Sequence, residues 1–599
     1  MTESLSAHWQ SKYPRQFQLL KRIFLNNSDI YHAYKKSLCM IIEDVLYKYF
    51  ACWTLAKERK ALLIIGDLEN GYYLKYALSN ELISPIPNLK TTILSSRFSG
   101  RHLSYITIAL FVNAAVILIL SLKKVLLGKI SFHRSSIKSR NLIGFNNRCG
   151  TSRGKGSSPE SKYWEDNLFL VDDESIRIDD LVILAYNYSP SGAIMYKEDY
   201  DSAGVRVIDV RRLKISIWCY FREIVPRSIM SLVYSAMGGL NLERALSISI
   251  TPRFLGAMIE WTAVYDQIPL KVYLDYEEHS TAHIIKTVVS KHFGSYTVFL
   301  PHGIVHRMCH EIYLCYSAAL VSGKHFPLAY GKHWKQDMVI EFVGNMKNDS
   351  AILCKKGYGK VSSNAFKAFI EELRRGSQQI ISFFPGSVKK SEYYVKERVF
   401  LFMKAAVRIT EKWKNVTVLI KPKPAHYKFF RSKACFDILG SHINRGLIRI
   451  IDGQEDMNSS VQCMALVSDA CVSLSATGQS VGSAWIEAMM LGKPSFGYDP
   501  EESSLTTPLF DKFHNSLILR TEDDLLDALD QVLNGFWHNP LWKLAQDYFD
   551  PYCDGMCMHR IRESVLRILS DPEVYLKSQE TLASFLAANT KEDTIDQLR

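Results

Sequence analysis

The chain has 599 residues, 47% of them apolar and 22% charged, with 73 Lys and Arg against 61 Asp and Glu for a formal charge of +12. At roughly 100–200 residues per domain, that is material for two to four domains, and the apolar share excludes a disordered chain, a collagen-like repeat and a small disulfide scaffold. Twelve cysteines without a C-x-x-C pair read as small buried hydrophobes in a reducing compartment, not as zinc ligands or disulfide halves.

Residues 1–60 predict an N-terminal helical extension, because FQLLKRIFLNNSDIYHAYKK and MIIEDVLYKYFACWTLAKERK space their apolar residues by three and four. The opening MTESLSAHWQSKYPRQ has no apolar signal-peptide core, so secretion is not expected. Strands follow at 61–65, closed by Gly66–Asp67, and at 91–94. The run LSYITIALFVNAAVILILSL, 103–122, is uncharged and at 1.5 Å per residue would span about 30 Å, a bilayer's hydrocarbon width. Residues 123–162 hold ten Lys and Arg and one acid, Glu160, so that +9 of the +12 sits there. That Ser- and Gly-rich stretch shows no apolar period and reads as a mobile basic loop. Run and loop together suit peripheral contact with an anionic membrane. The competing reading is a soluble core or interface segment, preferred over a true span because the chain on both sides reads as α/β domain. Nucleic acid is not expected as a partner, since no aromatic interleaving or groove-reading helix accompanies the charge.

Beyond the loop, strands are predicted at 181–185, 205–210, 272–274, 296–300 and 338–342, with a further short apolar run at 312–317 and a helix at 281–291. Residues 346–378 are mixed and polar and read as the region between domains. A second unit follows, with strands at 380–384, 416–420, 447–451, 470–474 and 494–498 and helices near 397–412 and 482–490. Short apolar strands alternating with helices imply parallel sheets covered on both faces. The predicted fold is therefore α/β with two Rossmann-like domains: a first over 61–345, which includes 103–122 and 123–162, and a second over 379–535. The 346–378 linker joins them, and a helical tail, 536–599, closes the chain.

The segment DACVSLSATGQSVGSAWIEAMMLGKPSFGYDP, Asp469 to Pro500, gathers small hydroxyls and glycines where a strand should give way to a helix. Ser473, Ser475, Thr477, Gly478, Gln479 and Ser480 would let backbone N–H groups approach an anion, aided by the partial positive charge of a helix N-terminus. Glu487, farther along, can accept from a ribose hydroxyl. The plainer alternative is that these residues cap a helix and Glu487 faces solvent. Neither a Walker A pattern nor a dinucleotide G-x-G-x-x-G is present. His302, in LPHG, follows a predicted strand where α/β sheets place ligands, and an imidazole suits proton removal from a hydroxyl. Its plainer role is to cap the strand end. His302, His306 and His310 recur at four-residue steps, as do His279 and His283, but no H-E-x-x-H accompanies them and no metal site is expected. Asp275 and Glu277, at a strand end, are candidates to orient an acceptor hydroxyl. Arg307, Lys324 and His325 are candidate cleft residues, and Lys389 and Lys390, after the PGS turn, candidate phosphate contacts.

Glu487-Ala-Met-Met-Leu-Gly-Lys-Pro494 resembles the E-A-x-x-x-G-x-P signature of the donor domain in glycosyltransferases of the two-Rossmann-domain GT-B fold. The likeness is nearest to bacterial capsule and surface-polysaccharide transferases, more distantly to CDP-glycerol glycerophosphotransferases, and covers roughly residues 270–505. It implies a metal-independent glycosyltransferase without a cofactor, taking a nucleotide-sugar donor and a glycan or lipid-linked acceptor in the cytoplasm at the inner face of the membrane. It further implies Glu487 as the donor-ribose ligand, Ser475–Ser480 as the diphosphate loop, Lys421 and His426 of KPKPAH near the donor phosphates, and His302 as the base. The teichoic-type enzymes carry Asp-Tyr-Ser-Ser after the strand, where this chain has Ser473-Leu-Ser-Ala-Thr-Gly. That departure favours a sugar nucleotide over glycerophosphate. Polyol-phosphate transfer and a non-catalytic membrane-associated scaffold are the alternatives.

Overall fold

The computed structural model describes residues 2–23, 27–42, 119, 122, 125–126, 142–146, 168–172, 174–186, 191, 193–237, 252–277, 280–301, 313–355, 364–376, 379–386, 393–423, 426–451, 461–476, 479–481, 484–500, 513–539 and 541–589. The strands expected at 61–65 and 91–94, most of the apolar run and most of the basic loop lie outside them.

Seven parallel strands form the first sheet: β1 (Leu142–Asn146), β2 (Leu181–Ala185), β3 (Arg206–Asp209), β4 (Leu270–Asp275), β5 (Tyr296–Phe299), β6 (Ala318–Val321) and β7 (Val339–Phe342). Their order, β3-β2-β1-β4-β5-β6-β7, reverses direction between β1 and β4, as in a Rossmann sheet. The second sheet contains β8 (Gln379–Phe384), β9 (Val416–Ile420), β10 (Ile448–Ile450), β11 (Ala470–Ala476), β12 (Gln479–Val481), β13 (Ser495–Tyr498) and β14 (Ile518–Leu519). Its order is β10-β9-β8-β11-β13-β14, with β12 added antiparallel to β11, so the same reversal recurs between β8 and β11. Two Rossmann-like units with helical segments at both ends are thus the architecture, as the strand–helix alternation implied.

Side-chain alternation explains how each sheet is buried on both faces. Val182 and Leu184 of β2 join a core cluster with Leu5, Trp9, Leu20 and Tyr34 of the N-terminal helices. Leu181 and Ile183 point the other way, into a cluster with Ile561, Val565 and Ile568. In the second sheet, Ile381 and Phe383 of β8 meet Phe402 and Ile409 of the helix Tyr393–Lys412, while Ile380 and Phe384 meet Met464 and Ala488. Such two-sided burial is why these strands read as unbroken apolar runs.

The basic loop requires correction. Within it, Leu142–Asn146 is a central strand whose Leu142, Ile143 and Phe145 are fully buried, paired in parallel with both β2 and β4. Five residues, one of them glycine, set in a cationic stretch carry too little pattern for a periodicity test. The 346–378 region likewise contains the helices Met346–Lys355 and Asn364–Gly376. The apolar run predicted at 312–317 gives way to a strand slightly later, at β6.

The C-terminal helices return to the first sheet. After the helix Leu541–Phe549, the helix Cys557–Ser570 buries Cys557, Ile561, Val565 and Ile568 beneath β1, β2 and β4–β7. Ile340 N donates to Glu580 O at 3.0 Å, and Leu582 N donates to Met338 O at 2.9 Å. Gly323 marks a close approach in this crossover, because a Cβ there would lie 2.5 Å from Tyr548 O and 2.6 Å from Phe549 O. Gly323→Ala is therefore expected to destabilise the protein by about 1–3 kcal/mol, as overpacking does; urea unfolding at an unchanged midpoint would refute the contact.

Asp349 sits at the same crossover, 2.7 Å from the Met558 N–H that donates to it. Burial, with Asp550 and Asp554 adding repulsion, pushes its carboxyl up to about 7 against the lowering pull of the Met558 and Cys557 amides. An unfolded carboxyl titrates near 4. The folded state therefore holds the extra proton, and Asp349's contribution is fully present below about pH 4 and lost as pH rises to about 7. Asp349→Asn should unfold at a higher temperature than the parent at pH 8, with the gap closing toward pH 4. A gap that does not change with pH would contradict this.

Candidate donor site at the second sheet

Rossmann sheets bind ligands beyond the carboxyl ends of their strands, at the point where strand order reverses. In the second sheet this is the end of β8 and β11, with β9 alongside. Lys421 is placed at that edge by its backbone N–H, which donates to Phe383 O of β8 at 2.9 Å. Its Nζ donates to Tyr427 Oη at 3.3 Å, and burial lowers its pKa. Lys423 lies two residues on, at the exposed rim. Crowding by protein and repulsion from Lys347 lower its pKa, while Glu487 pulls the other way. His426 is lowered by burial and then by Lys423.

Glu487 is nearly closed off, at 4% exposure. Oε2 accepts from Gln462 Nε2 at 2.9 Å, Oε1 stands 3.6 Å from Lys347 Nζ, and the main-chain oxygen accepts from Asn348 Nδ2 at 2.9 Å. The alternative of a solvent-facing Glu487 is thereby ruled out. Lys347 and Asn348 belong to the helix Met346–Lys355, which begins just after β7 and Gly344 and packs on the helices Val461–Val467 and Ala484–Met490. The Asn345 N–H that leads into it donates to buried Asp550 at 3.0 Å. The junction between the two units thus supplies Lys347 to the donor-side cluster of Lys423, Gln462 and Glu487. Lys347 and Gln462 escaped the sequence reading because one lay in a stretch read as linker and the other in a helix with no motif.

The E-A-x-x-x-G-x-P pattern has a mechanical basis. Gly492, at φ 75°, ends the helix Ala484–Met490 in the left-handed conformation, its N–H donating to Met489 O at 2.8 Å. Pro494 then starts the next strand, its carbonyl accepting from Cys471 N of β11 at 2.9 Å. Glycine and proline here turn the chain, and the glutamate faces the junction.

The expected strand-to-helix phosphate turn has a different form. β11 continues to Ala476 and folds back as β12, pairing Ser475 with Val481 and Ala476 with Gln479. The helix starts only at Ala484 and is seven residues long. Ser475, Gln479 and Ser480 therefore sit in a hairpin rather than at a helix N-terminus, a correction to the helix-dipole expectation. Thr477, Gly478 and Lys389, with Lys390, lie outside the described residues.

In the first unit, Asp275 ends β4 beside β1 but is 0% exposed. It forms an ion pair with Lys286, and Tyr316 Oη donates to it at 3.2 Å. Burial raises its pKa against the opposing pull of Lys286. Lys286 itself lies over the rings of Trp261 and Tyr273, at 4.7 and 4.5 Å from their centroids. Glu277 accepts from Ser280 N at 2.9 Å, and its carbonyl accepts from Tyr316 Oη at 2.5 Å. Asp275 is thus a buried support and not an acceptor-facing acid, and Glu277 braces the turn that follows it.

His283 is buried, stacked on Tyr316 with centroids 5.0 Å apart, and burial holds its pKa well below the usual range. His325, expected at a cleft, is buried among Phe326, Tyr548 and Phe549. His302, His306, His310, His279 and Arg307 lie outside the described residues. Among the described residues no group of three or more His, Cys, Asp or Glu side chains is placed to hold a metal ion. Nor, among them, is any helix long and apolar enough to cross a membrane. Cys219, Cys315, Cys435, Cys463, Cys471 and Cys557 are buried free thiols and Cys39 and Cys553 half-buried ones, as small hydrophobes would be.

No family model matches the chain, and no curated protein matches it by sequence. Solved structures similar to it include the UDP-GlcNAc 2-epimerase of Neisseria meningitidis bound to UDP-GlcNAc, at 12% identity over 71% of this chain and 99% of that one, with a TM-score of 0.41. Others are MnaA from S. aureus with UDP, at 11% identity over 72% and 97% with a TM-score of 0.42, and HepE from Anabaena with UDP and glucose, at 10% over 73% and 99% with a TM-score of 0.34.

Proposed function

We propose that the protein is a glycosyltransferase of the GT-B type, moving a sugar from a nucleoside-diphosphate donor to a hydroxyl of a surface glycan or lipid-linked acceptor. The observation that carries this reading is the convergence of Lys347, Lys423 and Glu487 on the carboxyl edge of a Rossmann-ordered sheet, with Lys421 on the same edge. Lys421, lowered by burial, and Lys423, lowered by burial and by repulsion from Lys347, regain stability when a diphosphate enters beside them. Glu487, fixed by Gln462, is the group to accept from ribose hydroxyls, and Lys347 gives up its contact with that carboxylate as the phosphates arrive.

In the proposed reaction His302 takes the proton of the acceptor hydroxyl as its oxygen bonds the anomeric carbon. The bond from that carbon to the diphosphate oxygen breaks, and the nucleoside diphosphate leaves with its charge met by Lys421 and Lys423. His426, Lys389, Thr477 and Gly478 are assigned to the same phosphates, as are Ser475, Gln479 and Ser480 of the hairpin. Asp275 and Glu277 are assigned to positioning alone. Peripheral membrane contact, on the cytoplasmic side, is assigned to the parts of 103–162 outside the buried strand Leu142–Asn146.

The test is turnover on a panel of nucleotide sugars, followed as transfer or slow donor hydrolysis. Glu487→Ala should raise the donor KM at least tenfold. His302→Ala should lower kcat by about 100-fold or more while donor binding survives, the range general-base removal gives. Equal turnover by both variants and the parent would overturn the assignment.

A further inference from the structure

Away from the donor site, the first unit exposes an apolar helix face that none of the proposed chemistry uses. Residues 217–237 run as one helix, built from Ile217–Cys219, a π turn over Tyr220–Ile224 and Val225–Met237. One side is anchored, with Cys219, Tyr220, Ile224 and Tyr234 buried in the core shared with the N-terminal helices. The other carries Ile217, Trp218, Phe221, Ile229 and Val233, each between 53% and 69% exposed.

The π turn makes these one face. It adds a residue to the helix, setting everything after it back by about 100°. With that residue discounted, Ile229 and Val233 become i+7 and i+11 neighbours of Phe221, a single stripe. In an unbroken α-helix they would drift toward the flank.

The charges around this stripe are cationic in excess. Arg212 and Arg222 keep more than half of their side chains exposed, and Arg211 keeps 50%. Lys214 is half-buried beside them. The acids nearby are fewer than the cations and are already engaged: Asp209 pairs with Arg211 and Arg212 at 3.4 and 3.3 Å, Glu223 with Arg222 and Arg227 at 2.6 and 2.7 Å, and Asp266 accepts from the Ser216 N–H and hydroxyl. The same core also holds buried Val125, and near it in sequence Ile119, Leu122 and Leu126 stand exposed.

We infer that the 217–233 face lies in the plane of an anionic lipid bilayer, with Trp218 and Phe221 in the headgroup–acyl boundary and Arg211, Arg212 and Arg222 on lipid phosphates. An aromatic and aliphatic stripe with a cationic rim is the pattern of an interfacial helix. Docking of a second copy is disfavoured because it would bring like-charged rims together. The inference does not depend on the reaction assigned to the second unit.

The test is co-sedimentation of the full chain with vesicles of phosphatidylglycerol and phosphatidylcholine in equal parts, and with phosphatidylcholine alone. Binding is expected only to the anionic vesicles and should weaken with salt. It should fall at least tenfold in a Trp218→Ser, Phe221→Ser double variant whose circular dichroism is unchanged, as exposed positions allow. Brominated lipid should quench the parent's tryptophan emission more than that of Trp218→Phe. Undiminished vesicle binding by the double variant would put the contact elsewhere in the chain and overturn the inference. So would concentration-dependent self-association that the same variant abolishes, since the face would then belong to a second copy.

Discussion

Lys286→Met is expected to destabilise the protein by about 3–5 kcal/mol, the usual cost of leaving a buried carboxylate without its partner. Asp275 is fully buried, and Lys286 is the cation that offsets its desolvation. Lys286 also lies against Trp261 and Tyr273, so methionine replaces the stem while removing the charge. Asp275→Asn combined with Lys286→Met should recover a large part of the loss, because the orphaned charge is gone. Chemical unfolding of the two single variants and the double closes the cycle. If Asp275→Asn alone abolished turnover with stability intact, Asp275 would be a reacting group and the positioning role would be wrong.

Lys421→Met together with Lys423→Met is the second large effect, expected to weaken nucleoside-diphosphate binding by roughly 100-fold or more. Each charge-assisted contact to a phosphate contributes about 1.5–3 kcal/mol, and about 1.4 kcal/mol is a factor of ten. Lys414→Met, exposed at the opposite end of β9, is the matched control and should bind as the parent does. Both lysines are lowered from the ordinary range, so affinity should fall on the alkaline side earlier than an unperturbed lysine would dictate. Calorimetric titration across pH checks both points, and equal affinity in the double variant and the control would contradict them.

The sequence disclosed elements whose side chains are buried on both faces over four or more residues. β2, β8, β9 and β13 fall within a residue or so of their expected bounds, since LVILA, IISFF and VTVLI are too apolar to lie elsewhere. β1 escaped because LIGFN is short, interrupted by glycine and set in a cationic stretch; only its neighbours β2 and β4 reveal it as central. The return of Cys557–Ser570 to the first sheet escaped for another reason, since an amphipathic helix does not state which sheet it will cover.

At the site, Glu487 stood out through its motif, but its burial against Gln462 and Lys347 did not. Those partners come from segments more than twenty residues away in one case and across the domain junction in the other. Asp275 looked accessible because it ends a strand. Its cation, Lys286, is one helix later, and a pair formed through a turn leaves no periodic trace.

The most direct measurement is calorimetric titration of the full chain with a panel of nucleoside diphosphates and their sugar conjugates. At least one nucleotide should bind with micromolar affinity, weakened tenfold or more by Glu487→Ala and about 100-fold by the loss of Lys421 and Lys423. Absence of binding by every nucleotide, with the protein shown to be folded, would contradict the donor site and the transferase reading with it.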